Sequence, residues 1–172
     1  MRWEEQGTAR AARYTVVPRT LSFILHEGDV LLLRGASNKR VWANKLNGVG
    51  GHLEPDEDPL SGARREVEEE TGLSVQELAL RAIIHIAGTS AGPGVLLFAF
   101  VGRAPSCQVR ANAEGQLAWY PLDDLPWEEM VEDLPHLLPR ILGLQAAGAL
   151  VYGHYVADAT GRMTFHFQTA VR

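Results

Sequence analysis

The 172-residue chain is poor in several things, and each shortage excludes something. It has one cysteine, Cys107, so no disulfide can form within it, which matches a reducing compartment such as the cytoplasm. Its longest apolar run, residues 95 to 101, is far too short to cross a bilayer, and its first residues, MRWEEQGTARAAR, lack the apolar core of a secretory signal. A cytoplasmic protein without membrane contact is therefore expected. Basic residues are outnumbered, 16 Lys and Arg against 21 Asp and Glu, for a net charge of −5. That balance argues against unspecific attraction to a nucleic-acid polymer, although a local basic patch could still hold phosphates. Repeats, low-complexity tracts and long linkers are absent. What remains suits one compact domain, expected over residues 14–172 behind a polar, loosely held segment 1–13, as a monomer or a homodimer.

Two β-like runs, residues 14 to 25 and 30 to 34, flank the turn signal HEGD and predict a hairpin. Residues 35 to 50 are rich in Gly, Ser and Asn and predict a loop with a short strand near its end. A helix is expected over residues 58 to 71, with Asp58 as N-cap, Pro59 in the first position and Gly72 ending it in a left-handed turn. Further strands are expected at 78 to 86, 95 to 101 and 116 to 122, a second helix at 134 to 147, and a last hairpin at 151 to 157 and 163 to 167 around DATGR. Strands mixed with two helices, without regular βαβ alternation, predict an α/β sandwich with a mixed sheet.

The first helix carries an unusual density of carboxylates, with glutamates at 66, 68, 69 and 70. On a helical wheel Leu60, Ala63 and Val67 form a narrow apolar stripe that docks the helix on a sheet. Glu66, Glu69 and Glu70 stand at i, i+3 and i+4 on the adjacent face, and Gly62, one turn earlier, leaves space there. Three carboxylates side by side need a countercharge. A plain acidic helix face is the usual meaning of such a run. The surroundings favour a metal instead. NGVGG, residues 47 to 51, predicts a turn where backbone can approach a ligand, and Arg34, Lys39, Arg40 and Lys45 lie around it, cations suited to phosphate. A hard divalent cation shared between carboxylates and substrate phosphates fits, with Mg²⁺ expected and Mn²⁺ as a substitute.

The residues Gly51, Glu57, Arg65, Glu66, Val67, Glu69, Glu70, Gly72 and Leu73 together resemble the Nudix box at every position. Seven of these are fixed letters, so a chance match is on the order of 10⁻⁹ per window. The resemblance implies the Nudix fold, an α/β/α sandwich, and Mg²⁺-dependent cleavage of a nucleoside diphosphate linked to another group. It implies metal binding by Glu66, Glu69 and Glu70, one of them a general base, with the carbonyl of Gly51 joining the metal shell. Arg65 would orient a glutamate, and Glu57 would support the loop or a further ion.

The substrate lies outside the box. ADP-ribose-cleaving members often have a proline about sixteen residues past it; Gly88, Thr89 and Ser90 stand there, and Pro93 comes late. Diadenosine polyphosphate members tend to carry a tyrosine there, and none is present. LNGVGG, AWYPLDDLPWEEMVEDLPHLLP and GHY are similar to the corresponding segments of enzymes that clear oxidised purine nucleoside triphosphates. In that group the residues matching Asn47 and Asp133 contact the base. The chain departs from it at Val131, where a stacking tryptophan is expected, at Leu134, where a second aspartate is, and at His52, where many have lysine. Trp127 or Trp42 could stack instead. Asn47 could equally serve its turn, Asp133 could cap the next helix, and Trp119, Tyr120 and Trp127 could be packing. Arg34 and His52 are the phosphate candidates, and His85, His154 and His166 fit strand positions. A nucleoside triphosphate cleaved to monophosphate and pyrophosphate is the expected reaction, an oxidised purine nucleotide being one option. A nucleotide sugar, a dinucleotide or a non-catalytic nucleotide-binding module are the alternatives.

Overall fold

The computed structural model describes residues 14–38, 41–88, 92–110, 114–142 and 149–170. The hairpin at HEGD forms as expected. β1 (Val16–His26) turns through Glu27 and Gly28, both at positive φ (48° and 99°), into β2 (Asp29–Gly35). Left-handed values at both central residues match the twist of the strands they join. A two-residue β3 (Leu46–Asn47) ends the following loop.

The helix α1 (Pro59–Thr71) begins and ends where local chemistry dictates. The Asp58 carboxylate accepts from the backbone N–H of Leu60 (2.8 Å) and Ser61 (3.1 Å), and these bonds and the Ser61 hydroxyl hold its pKa below the ordinary aspartate value. Gly72, at φ 74°, closes the helix with its N–H on the carbonyl of Glu68. Then follow β4 (Leu78–Ile86), β5 (Gly94–Arg103), β6 (Gly115–Pro121), a 3₁₀ turn (Trp127–Glu129), α2 (Leu134–Leu142), β7 (Leu150–Ala157) and β8 (Met163–Ala170). The second helix was expected to reach residue 147; residues 143 to 148 lie outside the described residues.

The strands form one mixed sheet in the order β3-β2-β1-β5-β4-β7-β8, with β6 also paired to β2. β1 and β5 run parallel, as do β4 and β7, while the hairpins are antiparallel. Neighbouring residues of a strand point to opposite faces, and both faces are covered, so residues 30–33 of β2 read as a continuous apolar run. Ile24 and Leu31 pack with Ala63 and Val67 of α1, whereas Phe23, Leu32 and Ile84 pack with Leu134, Leu137 and Leu138 of α2. This is the expected α/β/α sandwich.

Val67 is fully buried and seats the glutamate helix on the sheet. Val67→Ala is expected to lower stability by about 1–3 kcal/mol in urea denaturation.

Candidate active site

Helical spacing places Glu66, Glu69 and Glu70 on one side of α1, and the structure shows what lies opposite. The segment 47–53 runs antiparallel beside β1: Ser22 and Val49 exchange both backbone hydrogen bonds, and Thr20 N–H donates to the carbonyl of Gly51 (2.9 Å). Its glycines are needed for contacts within the protein. A Cβ on Gly50, which has φ 154°, would strike the Thr20 carbonyl, and one on Gly51 would strike the Glu66 carboxylate. The Gly50 N–H donates to Glu70 Oε2 (3.1 Å). Glu66 and Glu70, one turn apart, therefore sit against the Gly50–Gly51 backbone.

The cation among the carboxylates is Arg65. Its Nε and Nη2 donate to the two oxygens of Glu57 (3.0 and 2.7 Å), a bidentate pair. Its Nη1 donates to Glu66 Oε1 and Glu69 Oε2, both at 3.1 Å, and its Nη2 donates to the His52 carbonyl at 3.1 Å. The Arg65 guanidinium, hydrogen-bonded first of all by Glu57, is held above its ordinary pKa, and the same bond, with the Glu54 N–H, holds Glu57 below the usual carboxylate value.

Among the described residues no three His, Cys, Asp or Glu side chains converge as a metal-holding group. Arg65 draws Glu66 and Glu69 onto itself, and Glu70 faces an amide. The donor chemistry nevertheless fits a hard cation, because every group is a carboxylate or a carbonyl oxygen. The Gly51 carbonyl already accepts from Thr20 and keeps a second lone pair. The Glu69 side chain is 61% exposed, against 14% for Glu66, so Glu69 is the one with room to turn.

Beside this cluster opens a cleft of about 310 Å³, on the α2 side of the sheet. Asn47 and Asp133 both line it, as does Val131; Trp42 stands at its rim, 48% exposed and at φ 57°. Asn47 Oδ1 accepts from the Gly48 N–H (2.8 Å), so the side chain serves its own turn as well. Burial raises the pKa of the Asp133 carboxyl. Leu134, in place of a second aspartate, is core.

The phosphate candidates Arg34 and His52, and Lys45 beside them, stand outside the cleft lining. Arg34 is committed to Glu129 (2.6 Å) and to the Asn44 carbonyl (3.0 Å), because β2 ends beside the 3₁₀ turn. Lys45 donates to the Glu128 carbonyl (3.0 Å) for the same reason. His52 is exposed beyond the cleft lining, with its carbonyl taken by Arg65, and Trp127 also lies off the lining. Lys39 and Arg40 are outside the described residues. Residues that sequence reasoning missed are Arg19 and Thr20 of β1 and Tyr155 of β7, all lining the cleft. Only the pairing of distant strands brings them together; no local pattern marks Arg19 and Thr20, and Tyr155 is marked only as the last residue of GHY.

Comparison with known proteins agrees with this geometry. The NUDIX domain family model matches residues 17–141. The chain belongs to the NUDIX-domain family. It is 29% identical over 125 residues to the oxidized purine nucleoside triphosphate hydrolase of Mus musculus, covering 72% of this chain and 78% of that protein. It is 29% identical over 121 residues to the 8-oxo-dGDP phosphatase NUDT18 of Homo sapiens, covering 67% of this chain but 35% of that longer protein. Among solved structures, a MutT protein from Bacillus halodurans superposes with a TM-score of 0.72 at 20% identity, covering 89% of this chain and 98% of that one, which shows the shared fold. Family membership makes the chain an enzyme of the Nudix pyrophosphohydrolase class, and Nudix hydrolases generally use divalent metals and bind small nucleotide substrates. No helix among the described residues is long and apolar enough to cross a membrane.

Arg65→Gln is expected to lower stability at pH 7 in urea titrations without divalent metal. The sign follows from Glu57: its depressed pKa means its stabilising ionisation is complete above the ordinary value of 4.5 and is lost as pH falls through the folded-state pKa. The gap between wild type and variant should therefore narrow below about pH 4.5.

Proposed function

We propose that the chain is a Mg²⁺-dependent pyrophosphohydrolase that converts a nucleoside triphosphate to the monophosphate and pyrophosphate. The observation that carries this reading is Gly50, which lines the cleft and also donates its N–H to Glu70. A ligand with a flat body in the cleft would then extend its anionic end over Gly50 and Gly51 toward the α1 carboxylates. The relatives named as an oxidized purine nucleoside triphosphate hydrolase and an 8-oxo-dGDP phosphatase support a nucleotide, with an oxidised purine as one form of it.

Glu66, Glu69 and Glu70, with the Gly51 carbonyl and Glu57 behind them, are the groups that would hold Mg²⁺ (or Mn²⁺). When bound, the ion would neutralise phosphate oxygens and make water more acidic. Arg65 holds Glu57 and Glu66 by hydrogen bonds, and Glu69, which it contacts through Nη1 alone, would turn from it to help hold the ion. One of Glu66, Glu69 and Glu70 would take the proton of the attacking water, since a carboxylate beside the phosphate is the base at hand. Arg19, on the stretch of β1 that pairs with His52, is better placed than Arg34 to meet the phosphates, because it lines the cleft and carries no ion pair among the described residues. Asn47 and Asp133 would meet the base.

Glu69→Gln and Glu70→Gln are each expected to lower kcat by about 10²–10⁴-fold with the circular dichroism spectrum unchanged. Near-normal rates in both variants would defeat the assignment. Excess EDTA should abolish phosphate release from a panel of nucleoside triphosphates, and added Mg²⁺ should restore it. A panel in which a nucleotide sugar or dinucleotide turns over faster than any nucleoside triphosphate would redirect the substrate reading.

A further inference from the structure

The cleft holds buried polar atoms without partners. The Tyr155 side chain is 2% exposed, and its ring is clamped at right angles by Phe165 (centroids 4.8 Å apart, 75°) and Phe167 (5.6 Å, 78°). Its hydroxyl is enclosed and makes no hydrogen bond of ordinary geometry, and the same is true of Thr20 Oγ1 on β1. Orphaned buried hydroxyls are uncommon, because each forfeits its hydration without recompense. The Asp133 carboxyl abuts the Tyr155 hydroxyl closely enough that each raises or lowers the other's ionisation, yet no well-formed bond joins them. Tyr155, Thr20 and Asp133 are among the residues that line the cleft, together with Asn47. Two aromatic walls fix the direction of the hydroxyl, and burial raises the pKa of Tyr155, which remains a donor throughout the physiological range.

We infer that Tyr155 is a specificity-determining residue: its hydroxyl donates to a ring carbonyl of the bound base, while the neighbouring Asp133 carboxylate accepts from the adjacent ring N–H. The inference rests on the nucleoside triphosphate reading above. An O–H donor beside a carboxylate acceptor complements a lactam edge, which presents C=O next to N–H, as guanine and hypoxanthine do. It does not complement the amidine edge of adenine, where the ring nitrogen, an acceptor, would face the carboxylate, another acceptor. Because the hydroxyl is unpaired without ligand, its contribution is made only when a base is bound. A site built to hydrogen-bond a substrate group discriminates strongly against an analogue that leaves its buried polar atoms unpaired.

The test is steady-state kinetics of wild type and Tyr155→Phe on dGTP and dATP with Mg²⁺, alongside urea unfolding of both proteins. Wild type is expected to show the lower KM for dGTP. Tyr155→Phe should raise the dGTP KM about ten-fold, leave the dATP KM unchanged, keep kcat within about two-fold, and unfold at the same or a higher urea midpoint. An unchanged dGTP KM, an equal rise for both nucleotides, or a lowered midpoint with unchanged KM would each overturn the inference, the last by showing that the hydroxyl is a structural partner of Asp133. Wild-type inactivity on both nucleotides would instead overturn the nucleoside triphosphate reading, and the inference with it.

Discussion

The guanidinium of Arg65 is the contact on which the rest of the site depends. One planar cation joins Glu57 of the loop before α1, Glu66 and Glu69 of the helix itself, and the carbonyl of His52. It makes a tolerable arrangement out of carboxylates that would otherwise repel one another at helical spacing. It also ties the segment that pairs with β1 to the helix that packs on the sheet. The rigid fork of arginine suits this task, since it serves several oxygens in one plane; a lysine could neutralise the charge without fixing the geometry.

That clamp makes the glycine-rich segment intelligible. Gly50 and Gly51 lie between β1 and α1, with the Thr20 carbonyl on one side and the Glu66 carboxylate on the other. Any side chain there would separate the helix from the strand. The same close approach brings the amide of Gly50, which itself lines the cleft, to Glu70. Packing of backbone and organisation of the chemistry are thus one constraint.

Much of the fold is local, and so it is readable from the chain. The Glu27–Gly28 turn, the Asp58 cap and the left-handed Gly72 each follow from residues within a few positions of one another. The carboxylate face is local as well, since helical periodicity alone puts Glu66, Glu69 and Glu70 together. The phosphate ligands were a different matter. Arg34 and Lys45 look available in a line of text, but β2 ends beside residues 128 and 129, and both side chains are spent on that turn.

The sequence by itself determined the reaction class, because the box residues lie within one loop and one helix whose spacing sets their geometry. Tertiary structure alone decided the cleft. Its Arg19 and Thr20 come from β1, Asn47 from β3, Asp133 from the start of α2, and Tyr155 from β7. These meet because β1 pairs in parallel with β5, β5 with β4, and β4 in parallel with β7. Strand order depends on how apolar faces are shared between distant segments, and no short spacing encodes it.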